Sequence, residues 1–113
     1  MNHLLDALWS QPLPEKPLVE IEAELNQLDG ISESAVVGIA HRDLGEGVAA
    51  VVVLDGSIPA REDDLLLQLR DRLAPYKIPK RIIVRGTLPR NAMGKVEKNI
   101  LRNELAELFD PPS

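Results

Sequence analysis

The sequence predicts an α+β fold: a small, mainly three-stranded sheet covered by about three helices in the order α-β-β-α-β-α, with a further short helix at the N-terminus. Three observations predict it. Apolar residues recur at helical spacing in three separate stretches, runs rich in valine and isoleucine lie between them, and the first two of those runs are consecutive while the third follows a helix. Two adjacent strands, a crossover helix and a third strand make a sheet that carries its helices. With 113 residues, 44% of them hydrophobic and 27% charged, the chain suits one domain able to bury roughly two thirds of its unfolded surface.

At the start, Leu4, Leu5, Leu8 and Trp9 share one helical face, a short amphipathic helix that needs cover from the domain or from a partner. Pro12, Pro14 and Pro17 close that segment, so residues 1–16 are set apart as an extension and 17–113 as the domain. From Pro17 to Leu28, Leu18, Ile21, Leu25 and Leu28 predict the first domain helix, with Glu20 and Glu24 outward and Gly30 as its stop. Ala35 to Ala40 reads as a strand. Val48 to Leu54 reads as a second strand whose apolar residues do not alternate, which predicts cover on both of its faces. Between them His41-Arg42-Asp43-Leu44-Gly45-Glu46-Gly47, with two glycines, reads as a hairpin loop. Residues 60–74 form the next helix, with Glu62, Asp63 and Asp64 in its positive first turn and Leu65, Leu66, Leu69 and Leu73 buried. Ala74 precedes Pro75 and ends it. Tyr76 is expected to pack, leaving its hydroxyl at the surface. Ile82 to Arg85 is the third strand, and Ile100, Leu101, Leu105, Leu108 and Phe109 give the last helix its apolar side.

Composition excludes several functions. Zero cysteines remove disulfides, thiolate metal sites and a cysteine nucleophile, while His3 and His41 match no zinc spacing, so no metal site is expected. The longest apolar run, Val48 to Leu54, falls far short of the roughly 20 residues of a membrane helix. No basic stretch followed by an apolar segment opens the chain, so a soluble, cytoplasmic protein is expected. A net charge of −5 and only three aromatic residues, Trp9, Tyr76 and Phe109, argue against nucleic-acid binding. That total conceals an asymmetry. Residues 77–102 carry Lys77, Lys80, Arg81, Arg85, Arg90, Lys95, Lys98 and Arg102 against the single acid Glu97, a net +7, so the rest sums to −12. Two explanations fit equally on charge alone: a site for a small phosphate-bearing ligand, or cations that merely keep a strand and a helix hydrated.

The loop Leu88-Pro89-Arg90-Asn91-Ala92-Met93-Gly94-Lys95 sets a lysine directly after a glycine, whose backbone freedom can present the ammonium on a tight exposed turn. It is not a P-loop, because Gly86 stands at the wrong distance and Val96 replaces the required hydroxyl residue. Alone, a Gly-Lys pair in a loop is most often a hydrated surface lysine. Its surroundings reverse that weighting. Ser34-Ala35-Val36-Val37-Gly38, His41-Arg42-Asp43-Leu44-Gly45-Glu46, Leu73-Ala74-Pro75-Tyr76-Lys77-Ile78-Pro79-Lys80 and Leu88 to Val96 together resemble, in order, the C-terminal domain of the adenylate-forming acyl-CoA synthetases, the AMP-binding enzymes. The resemblance covers roughly residues 17–109. Pro89 to Asn99 looks most like the malonyl-CoA synthetase branch.

This resemblance implies a reaction in two steps, an acyl adenylate made from ATP and then a thioester with coenzyme A. Lys95 would be the family's mobile catalytic lysine, supported by Gly94, Pro89, Arg90 and Asn91. An ammonium between a carboxylate and a phosphate lowers their mutual repulsion, and a unit charge about 4 Å away at an effective dielectric near 20 is worth up to about 4 kcal/mol, or about three decades in rate. The family rotates this domain between steps, so His41, Arg42, Asp43, Gly45 and Glu46 would belong to the thiolation face, with Lys77, Lys80 and Arg81 meeting coenzyme A phosphates. Against each stands a plainer reading: Gly45 as a turn glycine, Glu46 as a surface carboxylate, His41 as loop packing rather than a general base. The resemblance also suggests acetylation of Lys95 as an off switch.

A large domain holding ATP, magnesium and the acyl pocket would not fit in this chain, and Met1 to Lys16 stand where the family has its hinge. ATP, magnesium and coenzyme A are therefore expected of a complete enzyme, not of this chain alone. Three readings stay open: a lid that supplies Lys95 to a large adenylation domain, in trans or in a parent chain; a non-catalytic binding or regulatory module; and an inactive remnant. The acyl substrate and the oligomeric state are not legible.

Overall fold

The structure, a computed structural model, describes residues 15–41 and 45–109, with side chains over 18–40 and 47–109. The expected helix over residues 1–9 lies outside the described residues. From there the order is α1 (Glu15–Leu25), β1 (Ile31–His41), β2 (Gly45–Leu54), α2 (Glu62–Arg70), a 3-10 turn (Pro75–Lys77), β3 (Arg81–Arg85) and α3 (Lys98–Glu104). The α+β class and element order match the expectation. Among the described residues, no helix is long and apolar enough to cross a membrane.

β2 is the central strand. It pairs antiparallel with β1 and parallel with β3, the parallel step being made by the α2 crossover. Its unbroken apolar run has the predicted consequence. Ala50 and Val52 face a core shared with Val36, Ile82, the α1 residues Leu18, Ile21 and Leu25, and the α2 residues Leu65 and Leu69. Ala49 and Val51 face the other way, onto Ala35, Val37, Ile39, Leu88, Leu101 and Leu105. The sheet thus lies between α1 and α2 on one side and α3 on the other, as a strand buried on both faces requires.

Boundaries moved where backbone pairing outran side-chain pattern. β1 starts at Ile31, through an irregularity between Ile31 and Glu33, and the ladder continues to His41 opposite Gly45. His41, Gly45, Glu46 and Gly47, predicted in the hairpin loop, instead have ladder partners, and Arg42 to Leu44 lie outside the described residues. Gly30 ends the α1 turn at φ +90°, and a Cβ there would stand 2.8 Å from Ile58 Cγ1. Both facts demand glycine.

α3 has seven residues, too few to be stable alone. Leu101, fully buried, and Leu105 hold it to the sheet. Ile100, expected on the buried side, is 39% exposed. It stands one position, about 100° of helix, from Leu101, on the flank of the face that α3 turns to the sheet.

At the other face Glu62 ties α2 to β3, accepting hydrogen bonds from Arg81 Nε at 2.7 Å and from the Ile82 N–H at 2.8 Å. Burial raises the Glu62 carboxyl, but the Arg81 hydrogen bond, the Ile82 N–H and the Arg81 charge outweigh it and hold Glu62 below the usual glutamate value. A carboxylate held below its unfolded value stabilises the fold above that value, and the contribution fades as pH falls through the folded one. The Tm gap between wild type and Glu62→Gln is therefore widest near neutrality and narrows below about pH 4.5. An unchanging gap from pH 7 to pH 3 would contradict this role. Urea unfolding supplies a second check: Leu101→Ala costs about 3 kcal/mol, within the range for deleting a buried leucine side chain, while Ile100→Ala stays within about 0.5 kcal/mol.

Candidate functional site

Lys95 sits at the tip of a small hairpin between β3 and α3. Leu88, buried against the α3 side of the sheet, anchors its entry. Arg90 bridges Val96, and the Glu97 N–H donates to the Pro89 carbonyl at 2.9 Å, so the two arms close on each other. At the tip the Gly94 N–H donates to the Asn91 carbonyl at 3.0 Å, a four-residue turn with asparagine first and glycine fourth, the positions each favours in the commonest β-turn. Gly94 takes φ +83° with nothing within 4 Å of where a Cβ would stand. Its requirement is conformational, not spatial.

Asn91 holds the turn from inside. Its Oδ1 accepts from the Met93 N–H at 2.9 Å and from the Lys95 N–H at 3.0 Å, and its own N–H donates to the Lys95 carbonyl at 2.9 Å. The backbone of Lys95 is thus bonded on both sides, while its side chain is exposed. Two ion pairs flank the turn. Arg90 meets Glu33 of β1 and donates through Nη1 to the Gly94 carbonyl at 2.7 Å. Lys98 meets Glu22 of α1 at 2.6 Å, and the same Glu22 oxygen accepts the Val36 N–H at 2.6 Å. Beside Lys95, an open depression of about 490 Å³ is also lined by Lys98, Asn99 and Arg102, whose Nη1 donates to Asn99 Oδ1 at 2.7 Å.

The charge asymmetry of the sequence largely vanishes in three dimensions. Lys77, Arg81, Arg85, Arg90 and Lys98 pair with Glu20, Glu62, Glu104, Glu33 and Glu22 respectively. Acids from elsewhere in the chain therefore neutralise most of the basic segment. Among the described residues, no carboxylate pairs with Lys80, Lys95 or Arg102.

The second set of predicted residues lies elsewhere. The Lys80 N–H donates to the Val48 carbonyl at 2.8 Å, and Arg81 stands opposite Ala49, near the hairpin end of β2. Glu33, which holds Arg90, stands opposite Val53 at the far end. From Glu33 to Gly38, the ladder partner of Val48, is about 17 Å at about 3.3 Å per residue, so the sheet separates Lys95 from Lys80 rather than bringing them together. Lys77 is engaged by Glu20 at 2.7 Å, a hydrogen bond that holds its ammonium above the usual lysine value. His41 and Gly45 belong to the ladder. The side chains of His41, Arg42, Asp43 and Glu46 lie outside those described. Tyr76, expected to pack, instead stands 83% exposed, with the Lys77 ammonium 5.8 Å from its ring centre. The 3-10 turn lifts it from the surface.

Sequence reasoning passed over Glu22 and Glu33. Both look like ordinary surface acids, and their partners lie on distant elements, so no local spacing marks them. Asn91 was legible, because Asn-x-x-Gly is itself a turn signal.

A model of the AMP-binding enzyme C-terminal domain matches residues 20–95. An indenyl-propanoyl:CoA ligase of Rhodococcus jostii is 42% identical over 85 residues, and the malonate–CoA ligase of Arabidopsis thaliana 36% identical over 97, covering 75% and 77% of this chain but 16% of each ligase. Among solved structures, ATP-bound MatB from Rhodopseudomonas palustris superposes with a TM-score of 0.78 at 44% identity, covering 81% of this chain and 18% of that one. The chain spans less than a fifth of the length of these relatives. With more than half of its residues inside the family match and a fold that superposes on a solved member over 81% of its length, the chain belongs to the AMP-binding enzyme C-terminal domain family of the acyl-CoA ligases.

Proposed function

We propose that this chain acts as the lid of an acyl-CoA ligase, presenting Lys95 to a large adenylation domain outside the chain. One observation carries the proposal: Lys95 is exposed and unpaired among the described residues, on a turn held by Asn91 and Arg90, with its own N–H and carbonyl both hydrogen-bonded, in a segment whose other cations are mostly neutralised internally. A surface lysine kept only for hydration needs no such mounting. In the first step its ammonium would stand between the acyl carboxylate and the ATP phosphates, lowering the repulsion between two anions as the acyl–phosphate bond forms.

The cofactor fit is divided. An unpaired ammonium suits phosphate oxygens. Among the described residues no three His, Asp or Glu side chains converge on a metal, so magnesium would be held by the adenylation domain. Coenzyme A would meet the opposite end of the sheet, where among the described residues no carboxylate pairs with Lys80. Two working ends on one small domain suit a lid that turns between adenylation and thioester formation. A free-standing phosphate-binding module is the weaker reading, because Lys77, Arg81, Arg85, Arg90 and Lys98 are already engaged by glutamates.

For the acyl group we favour a malonate-type ligase. The run Pro89 to Asn99 and the 36% identity to the malonate–CoA ligase of Arabidopsis thaliana support it, while the pocket that would select the substrate would belong to the large domain.

The test mixes the chain with the large domain of a malonate–CoA ligase lacking its own small domain and follows ATP/pyrophosphate exchange. Exchange should rise on addition of the chain. Lys95→Ala should lower it by about two to three decades and largely spare thioester formation from preformed adenylate. No gain from the wild-type chain, or equal loss in both steps, would remove the lid reading.

A further inference from the structure

We infer that Glu33 is a positioning residue for Lys95, acting through Arg90 to fix the peptide plane from which the lysine leaves its turn. The inference deepens the reading of Lys95 as the working cation and rests on it.

The peptide joining Gly94 to Lys95 is planar, so its carbonyl and its N–H turn together. Both are held. The N–H, which belongs to Lys95, donates to Asn91 Oδ1 at 3.0 Å, and the carbonyl, which belongs to Gly94, accepts from Arg90 Nη1 at 2.7 Å. Among the described residues no other hydrogen bond falls on this peptide group. Gly94 is the most permissive residue in the turn, no heavy atom stands within 4 Å of its missing Cβ, and Met93 beside it is 82% exposed. Packing contributes nothing at the tip, and hydrogen bonds set its shape.

Arg90 can serve as a fixed donor only if its own guanidinium is fixed. Its side chain is 42% exposed, and a long arginine at that exposure samples many rotamers unless a partner selects one. Glu33 is that partner, meeting Nη2 while Nη1 bonds Gly94. The planar guanidinium divides two donors between two acceptors at a set angle, which an ammonium cannot do. Glu33 Oε1 is shielded from solvent and forms an ion pair with Arg90 Nη2. Glu33 itself stands in β1 opposite Val53 of the central strand, beside the irregularity between Ile31 and Glu33, in a ladder that continues unbroken to His41. A paired strand thereby reaches, through one arginine, the peptide that aims Lys95.

Partial exposure makes the pair a small contributor to stability, so its variants keep the fold. The experiment uses the full chain and reads backbone order by 15N relaxation at the Gly94 and Lys95 amides, with Val36 and Val51 as fold controls. Glu33→Ala, Glu33→Gln and Arg90→Ala should each lower the order parameters at Gly94 and Lys95 from about 0.85 toward about 0.6, leaving the controls unchanged. Glu33→Ala combined with Arg90→Ala should lower them no further, since one acts through the other. Exchanging the charges, Glu33→Arg with Arg90→Glu, restores an ion pair but leaves the Gly94 carbonyl without a donor, so order should stay low. Unchanged order in the single variants, additive losses in the double, or recovery on charge exchange would each overturn the inference. In the pyrophosphate-exchange mixture, Glu33→Ala should reduce kcat about tenfold with little change in KM. If the wild-type chain supports no exchange, the lid reading fails by itself, and the relaxation arm still decides the anchor.

Discussion

Everything in this domain follows from burying one strand on both of its faces. β2 has apolar residues facing each way, and water must be kept from both. α1 and α2 can cover one side only. The chain after β3 must therefore cross to the other side to deliver Leu88, Leu101 and Leu105, and the crossing is made by the segment that carries Lys95. The exposed lysine turn is where the polypeptide rounds the end of its own sheet. Its location is set by the core, and its shape is set by Asn91, Gly94 and Arg90.

Much of that was legible in the sequence. Helical spacing placed Leu18, Ile21 and Leu25 on one face of α1 and Leu65 and Leu69 on one face of α2, since a period of 3.6 residues needs no partner to be recognised. The non-alternating Val48 to Leu54 gave the two-sided strand. Other features depended on tertiary neighbours. The ladder from His41 to Gly45 shortened a loop that two glycines had made look long, and the 3-10 turn pushed Tyr76 outward, which its aromatic character does not reveal. Ile100 and Leu101 are adjacent and alike, and only the direction of the sheet decides between them.

The candidate site divides in the same way. A turn glycine followed by a lysine is local and can be read, as can the asparagine three residues before that glycine. The basic segment, by contrast, invites reading as one anion-binding stretch, while its glutamate partners lie in α1, β1, α2 and α3. Charge counted along a chain is blind to distance in space. The fold selects a few cations to leave unpaired from a segment rich in them, and that selection distinguishes Lys95 from Arg85 or Lys98.

The outer strand β3 has a consequence of its own. It ends the sheet, and among the described residues nothing pairs with its far side, so its backbone offers a template to any passing extended chain. It is five residues long and reads Arg-Ile-Ile-Val-Arg, with Val84 44% exposed. Arg81 and Arg85 at its two ends are each paired with a glutamate of the same domain, Glu62 and Glu104, so a second strand laid along this rim would have to disturb an ion pair at either end. Brevity and charged ends together act as gatekeepers against fibril growth along an otherwise sticky rim.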